Sequence, residues 1–190
     1  KMLKVGMNRN WHVHAEGYAK TVLESGIANI TAVWDDDRER GESWAQELQC
    51  RYYQDLDAFL KDDQVEAVVC DAPTTQHFSI LKKAALAGKL IFTEKAMAPT
   101  VRECEDLADC PEKSGVTCTI SLPQPTTPAA RPAKKMADDG AFGTIPLVHT
   151  RNGRDRVSGR RVPDTLVEGK SLEGSGTRGM VSPPLHMAPR

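Results

Sequence analysis

No stretch of the sequence is apolar for the length that a membrane-spanning helix requires. The start, running from Lys1 straight into a strand-like segment, shows no signal-peptide pattern. Together these absences predict a soluble chain without a membrane partner, placed in the cytoplasm. An excess of charge is missing too: 25 Lys and Arg stand against 26 Asp and Glu. That balance removes the electrostatic basis for binding nucleic acid or an anionic surface and favours small or neutral partners. The five cysteines (Cys50, Cys70, Cys104, Cys110, Cys118) are odd in number and contain no Cys-x-x-Cys pair. A disulfide framework and a zinc ribbon are therefore not expected. There is no Gly-x-Ser-x-Gly elbow and no Walker A loop. His12 and His14 alternate around Val13 but match neither an His-Glu-x-x-His helix nor another ligand spacing, so no metal is expected.

What the chain does contain is alternation. Met2–Met7 reads as a strand, Glu16–Ser25 as a helix stopped by Gly26, Ile30–Trp34 as a β-branched strand and Arg38–Gln49 as a helix. A short strand at Arg51–Tyr53 precedes a helix that Asp55 is placed to cap and that runs through Leu60. Val65–Cys70 is continuously apolar, as in strands buried on both faces of a parallel sheet. A helix over Thr75–Ala87, closed by Gly88, leads to a strand at Leu90–Thr93 and a helix over Thr100–Glu112. A strand at Val116–Ser121, a helix over Pro128–Asp139 and a strand at Ile145–Thr150 complete the series. This spacing predicts an α/β fold with a doubly wound parallel sheet, because each right-handed crossover uses about one helix of chain. After Thr150 the pattern lapses. Residues 151–190 hold no Phe, Trp or Tyr and scattered Gly and Pro, and read as a solvated extension without a core of its own.

In such a sheet ligands gather at the carboxyl ends of the strands. Four groups of residues fall there. The first turn reads Gly6-Met7-Asn8-Arg9-Asn10-Trp11-His12, where a dinucleotide fold carries Gly-x-Gly-x-x-Gly. Of that fingerprint only Gly6 is present; Asn8 and Asn10 tolerate left-handed backbone, and Arg9 offers charge to a phosphate. Asp35 follows the second strand, where a carboxylate accepts hydrogen bonds from ribose hydroxyls and favours NAD over NADP, while Arg38 nearby favours the 2′-phosphate. The alternative for Asp35–Asp37 is simply to open a helix. Ala72, Pro73 and Thr74 follow the fourth strand and are placed along the nicotinamide side, with His77 one turn on, either lining the cleft or holding structure. Glu94 and Lys95 end the fifth strand. By itself Lys95 is a loop lysine, and at that strand end it is a candidate for proton transfer.

These residues have a family likeness. Asp35, the segment Asp71-Ala72-Pro73-Thr74-Thr75-Gln76-His77, Ala87-Gly88-Lys89 before a strand and Thr93-Glu94-Lys95 after it resemble the glucose-fructose oxidoreductase and myo-inositol dehydrogenase family (Gfo/Idh/MocA). The resemblance covers residues 2–150. It implies a Rossmann-like NAD(P)-binding domain over 1–122, the start of a substrate and oligomerisation domain at 123–150 and a divergent extension at 151–190, at most a remnant of the family's α+β C-terminal domain. It further implies NAD as cofactor with NADP as the alternative, a sugar or cyclitol substrate, a homo-oligomer, and a catalytic Lys95 beside the nicotinamide. Two departures stand out. Ala96 replaces the proline of the family's Glu-Lys-Pro motif, and the family's downstream glycine-rich segment with its Asp and His has only an echo in Gly174-Ser175-Gly176, with Met180 and Pro184 at the acid/base positions and His186 displaced. Those departures support a second expectation, a Rossmann-like module that binds a nucleotide or partner without turnover.

Overall fold

The structure is a computed structural model that describes residues 1–122 and 128–148. In chain order the elements are β1 (Leu3–Asn8), α1 (Ala15–Glu24), β2 (Ala28–Trp34), α2 (Arg38–Glu47), β3 (Arg51–Tyr53), α3 (Leu56–Lys61), β4 (Ala67–Cys70), α4 (Thr74–Leu86), β5 (Leu90–Thr93), α5 (Val101–Ser114), β6 (Cys118–Ile120) and α6 (Ala130–Asp138). The strands form one sheet in the order β3-β2-β1-β4-β5-β6, with every pairing parallel. The doubly wound α/β expectation is met. The order reverses between β1 and β4, which is the topological switch point.

Period-2 alternation explains the two apolar layers. All four residues of β4 are buried. Val68 and Cys70 join the layer built with Phe59, Ile80, Leu81 and Ile91, while Ala67 and Val69 join the layer of Val5, Met7, Ile30, Val33 and Trp44 on the opposite face. Caps fix the helix starts. Asp37 accepts from Arg40 N at 3.1 Å and Asp55 from Ala58 N at 2.7 Å. Thr100 and Glu103 form a reciprocal box before α5, with Glu103 N donating to Thr100 Oγ1 at 3.2 Å and Thr100 N to Glu103 Oε2 at 3.1 Å.

Two expectations are corrected. Gly6 lies within β1 and not in the turn that follows it. A Cβ there would stand 2.3 Å from Phe59 Cζ, so the glycine lets the ring of α3 close onto the strand. The run Ile145–Val148 forms no strand, and its Leu147 and Val148 are exposed; apolar β-branched residues need a partner strand before they pair. The helix expected over Pro128–Asp139 is present as α6, which spans Ala130–Asp138 and buries none of its residues. Residues 149–190, including Gly174-Ser175-Gly176 and His186, lie outside the described residues.

Candidate functional site

The six strands finish level with one another. Tyr53 pairs with Trp34, Trp34 with Asn8, Asn8 with Cys70, Cys70 with Thr93 and Thr93 with Ile120. The ladder then continues one residue further. Asp35 N donates to Tyr53 O (3.2 Å), Arg9 N to Trp34 O (2.8 Å), Asp71 N to Asn8 O (3.0 Å), Glu94 N to Cys70 O (3.1 Å) and Ser121 N to Thr93 O (2.8 Å). A row of polar residues, Asp35, Arg9, Asp71, Glu94 and Ser121, is thus fixed by backbone along the carboxyl edge and spans the switch point. Four of the five, all but Ser121, are buried.

The β2 end of this row is a closed ion cluster. Asp35 is fully buried. Arg40 donates to it through Nε (2.7 Å) and Nη2 (2.6 Å), and Asp37 N adds a bond of 3.0 Å. The carboxylate and these hydrogen bonds raise the Arg40 pKa. Close approach of α2 depends on Gly41, whose added Cβ would lie 2.3 Å from the Tyr52 ring and 2.8 Å from Asp35 Cβ. Arg38, expected beside Asp35, points outward instead and pairs with Glu42 at 2.8 Å. The reason is position in the helix: Arg38 is the first helical residue after the Asp37 cap, and Arg40, two residues on, folds back over the N-terminus. Arg9 is buried, ion-paired with Asp36, and stacked on Trp34 with its guanidinium carbon 5.4 Å from the ring centroid. Burial lowers its pKa despite the nearby Asp35.

The β5 end differs. Glu94 is 3 % exposed; one oxygen accepts from the Tyr18 hydroxyl and the other from Lys95 N at 3.0 Å. Tyr18 in turn reaches Ser121 Oγ at 2.7 Å. Burial and the bond to Glu94 push the Tyr18 pKa up. His12 is buried and His14 half-buried, with ring centroids 4.8 Å apart. Burial, opposed by Glu94 and assisted by Lys95, His14 and His77, pushes the His12 pKa down to about 4. Lys95 itself is half-buried. Sequence reading missed Tyr18 and Ser121. Tyr18 lies in α1 beside Ala15, Ala19 and Val22 at helical spacing and reads as part of an apolar stripe; only the fold brings it to a residue 76 positions away.

His77 is fully buried, and its Nδ1 lies 2.7 Å from Ala96 O and its Nε2 2.9 Å from Ala72 O. The ring thereby ties the loop after β4 to the segment after Lys95, a bracing position and not an opening onto the edge. Ala72, Pro73 and Thr74 are buried around it, and Asn10 is half-buried.

A dinucleotide fits this edge in its backbone. Arg9 holds φ +67°, the left-handed form that the first glycine of the fingerprint supplies. Counted from Arg9, the fingerprint spacing falls on Arg9, Trp11 and His14, immediately before α1. His14 makes no side-chain cap bond; Ala15 N donates to His12 O at 3.0 Å, so the N–H groups of Glu16 and Gly17 are the ones that the first turn of α1 would offer to a phosphate. Asn8, at the end of the central strand, is fully buried with both side-chain amide atoms unpartnered, as expected of a group that awaits a ligand. The cavities under Lys1, Leu3, Ile27, Glu66 and Leu90, and between Ala19, Leu23, Trp44 and Leu48, lie away from this row.

Comparison with known proteins agrees with the frame. Residues 4–122 match the oxidoreductase family with an NAD-binding Rossmann fold, GFO_IDH_MocA. The chain is 32 % identical over 142 residues to a 2,7-anhydro-N-acetylneuraminate hydratase of Escherichia coli, covering 72 % of this chain and 38 % of that protein. It is 29 % identical over 153 residues to a scyllo-inositol 2-dehydrogenase (NAD(+)) of Bacillus subtilis, covering 80 % and 44 % respectively. It therefore spans less than half the length of these relatives. The WlbA dehydrogenase of Bordetella pertussis, solved with NADH and UDP-GlcNAcA, shares the fold at TM-score 0.72 and 18 % identity over 76 % of this chain and 42 % of that one. Among the described residues no helix is long and apolar enough to cross a membrane.

Proposed function

The chain belongs to the oxidoreductase family with an NAD-binding Rossmann fold, and from that premise we propose that it forms the cofactor half of an NAD-dependent oxidoreductase acting on a secondary alcohol of a sugar or cyclitol. NADP is the alternative cofactor. In this reading residues 1–122 are the dinucleotide domain, 123–150 begin the substrate domain and 151–190 are the divergent extension. The observation that carries it is the polar row across the β1/β4 switch point, with Glu94 and Lys95 at one end and Asp35 at the other.

The cofactor supplies a hydride acceptor. The chain's own residues bind and move a proton. The first-turn N–H groups of Glu16 and Gly17 and the Arg9 guanidinium would hold the pyrophosphate, Asn8 would meet the bound molecule with its buried amide, and Asp35, beside its bonds to Arg40, would accept from the ribose. Ala72, Pro73, Thr74 and His77 shape and brace the nicotinamide side, and Glu94 sets the Lys95 backbone through its 3.0 Å bond. Lys95 Nζ would stand beside the substrate hydroxyl and assist the movement of its proton as the carbon becomes a carbonyl. Turnover followed by NADH absorbance over a panel of sugars and cyclitols tests this. Lys95→Ala is expected to lower kcat by about 10²–10⁴-fold with NADH binding kept; full turnover in that variant removes the lysine role.

A second reading, a module that binds without turnover, draws on one observation: Arg9, Trp11 and His14 stand where three glycines would, and Asp35 is already held by Arg40. NAD binding with no hydride transfer to any member of the panel favours it.

A further inference from the structure

The fold brings His12, His14 and Glu94 together so that one ligand atom from each lies within 4.8 Å of the others. We propose that these three side chains form a binding site for a divalent transition-metal ion of the zinc class. Two imidazoles and one carboxylate are a zinc donor set, and three protein ligands leave a fourth position for water or another ligand. His12 and His14 come from the loop before α1 and Glu94 from the end of β5, so the sequence spacing that argues against a metal sees only two of the three donors.

The surroundings suit the role. One carboxylate oxygen of Glu94 accepts from Tyr18 and the other from Lys95 N, and an ionised carboxylate has about four acceptor positions. Lone pairs therefore remain for a cation. Tyr18 orients the carboxylate and is itself held by Ser121 at 2.7 Å, the kind of outer hydrogen bond that fixes metal ligands. His12 Nδ1 sits 3.4 Å from His14 N, which couples the ring to the loop that carries the second imidazole. A tetrahedral set with bonds of about 2.1 Å has ligand atoms about 3.4 Å apart, so the trio contracts on binding. His14, half-buried on the loop, is the side chain free to turn inward.

This inference goes beyond the oxidoreductase reading and does not depend on it, because the ion is titrated into the chain without dinucleotide. Co²⁺ is the probe, read by the visible d–d absorption of the bound ion, with Zn²⁺ as competitor. One equivalent is expected to bind and to be displaced by Zn²⁺. His14→Ala and Glu94→Gln are each expected to weaken it by more than about tenfold, and Tyr18→Phe, a positioning change, by about tenfold. His14 is half-buried, so its variant keeps the test open even where a change at buried His12 disturbs folding. Absence of a d–d band in the native chain overturns the site. A band that persists unchanged in His14→Ala and Glu94→Gln means that the ion sits elsewhere, and it overturns the site equally.

Discussion

The two ends of the carboxyl edge are built on the same backbone ladder yet differ in how their charges are answered. At the β2 end, Asp35 and Asp36 are matched by Arg40 and Arg9, and the cluster is complete within the chain. At the β5 end, Glu94 meets a tyrosine, a backbone N–H and two imidazoles, and keeps acceptor capacity. The difference teaches that position in the ladder sets where a side chain emerges, while the neighbouring helix decides what it is free to bind. The N-terminus of α2 brings an arginine back over the end of β2; α1 brings a tyrosine across to the end of β5.

Removing one arginine breaks the comparison most severely. Arg40→Met leaves a fully buried Asp35 with one backbone donor, and a loss of about 3 kcal/mol is expected in urea unfolding, at the lower end of the range for a broken buried pair because Arg40 is 30 % exposed. The frame beneath both ends is tested by Gly6→Ala. Its Cβ has no room against a Phe59 that is itself fully buried, and about 1–3 kcal/mol of overpacking is expected; Phe59→Leu in the same chain should recover part of it. Tyr18→Phe acts at the β5 end and should cost about 1 kcal/mol, since Glu94 retains the Lys95 N–H. Asn8→Leu has the smallest effect and the opposite sign. Replacing a buried unpartnered amide by an apolar group of similar size should stabilise the unliganded chain by up to about 1 kcal/mol, while weakening NADH binding.

Much of the frame is legible in the sequence. Hydrophobic runs, the Asp37 and Asp55 caps and the alternation of strands and helices specify the sheet, and the carboxyl ends of the strands locate Asp35, Glu94 and Lys95. Convergence is not legible. Which of Arg38 and Arg40 reaches Asp35 depends on the helical phase set by one cap. Gly6 reads as a turn glycine until Phe59, 53 positions later, is seen against it. Tyr18 and the His12, His14 and Glu94 trio depend on a contact between α1 and the end of β5 that has no local pattern. The strand expected at Ile145 fails for a related reason: its apolar residues announce burial, but pairing needs a partner that periodicity does not supply.

The central claim, that the carboxyl edge across β1 and β4 holds a dinucleotide, is tested most directly by titrating NADH against protein fluorescence. Trp11 lies in the turn before α1 and Trp34 at the end of β2 under Arg9, so a bound dinucleotide passes close to both. Saturable quenching that NAD reverses is the predicted result. No saturable change with either NADH or NADPH at millimolar concentration contradicts it.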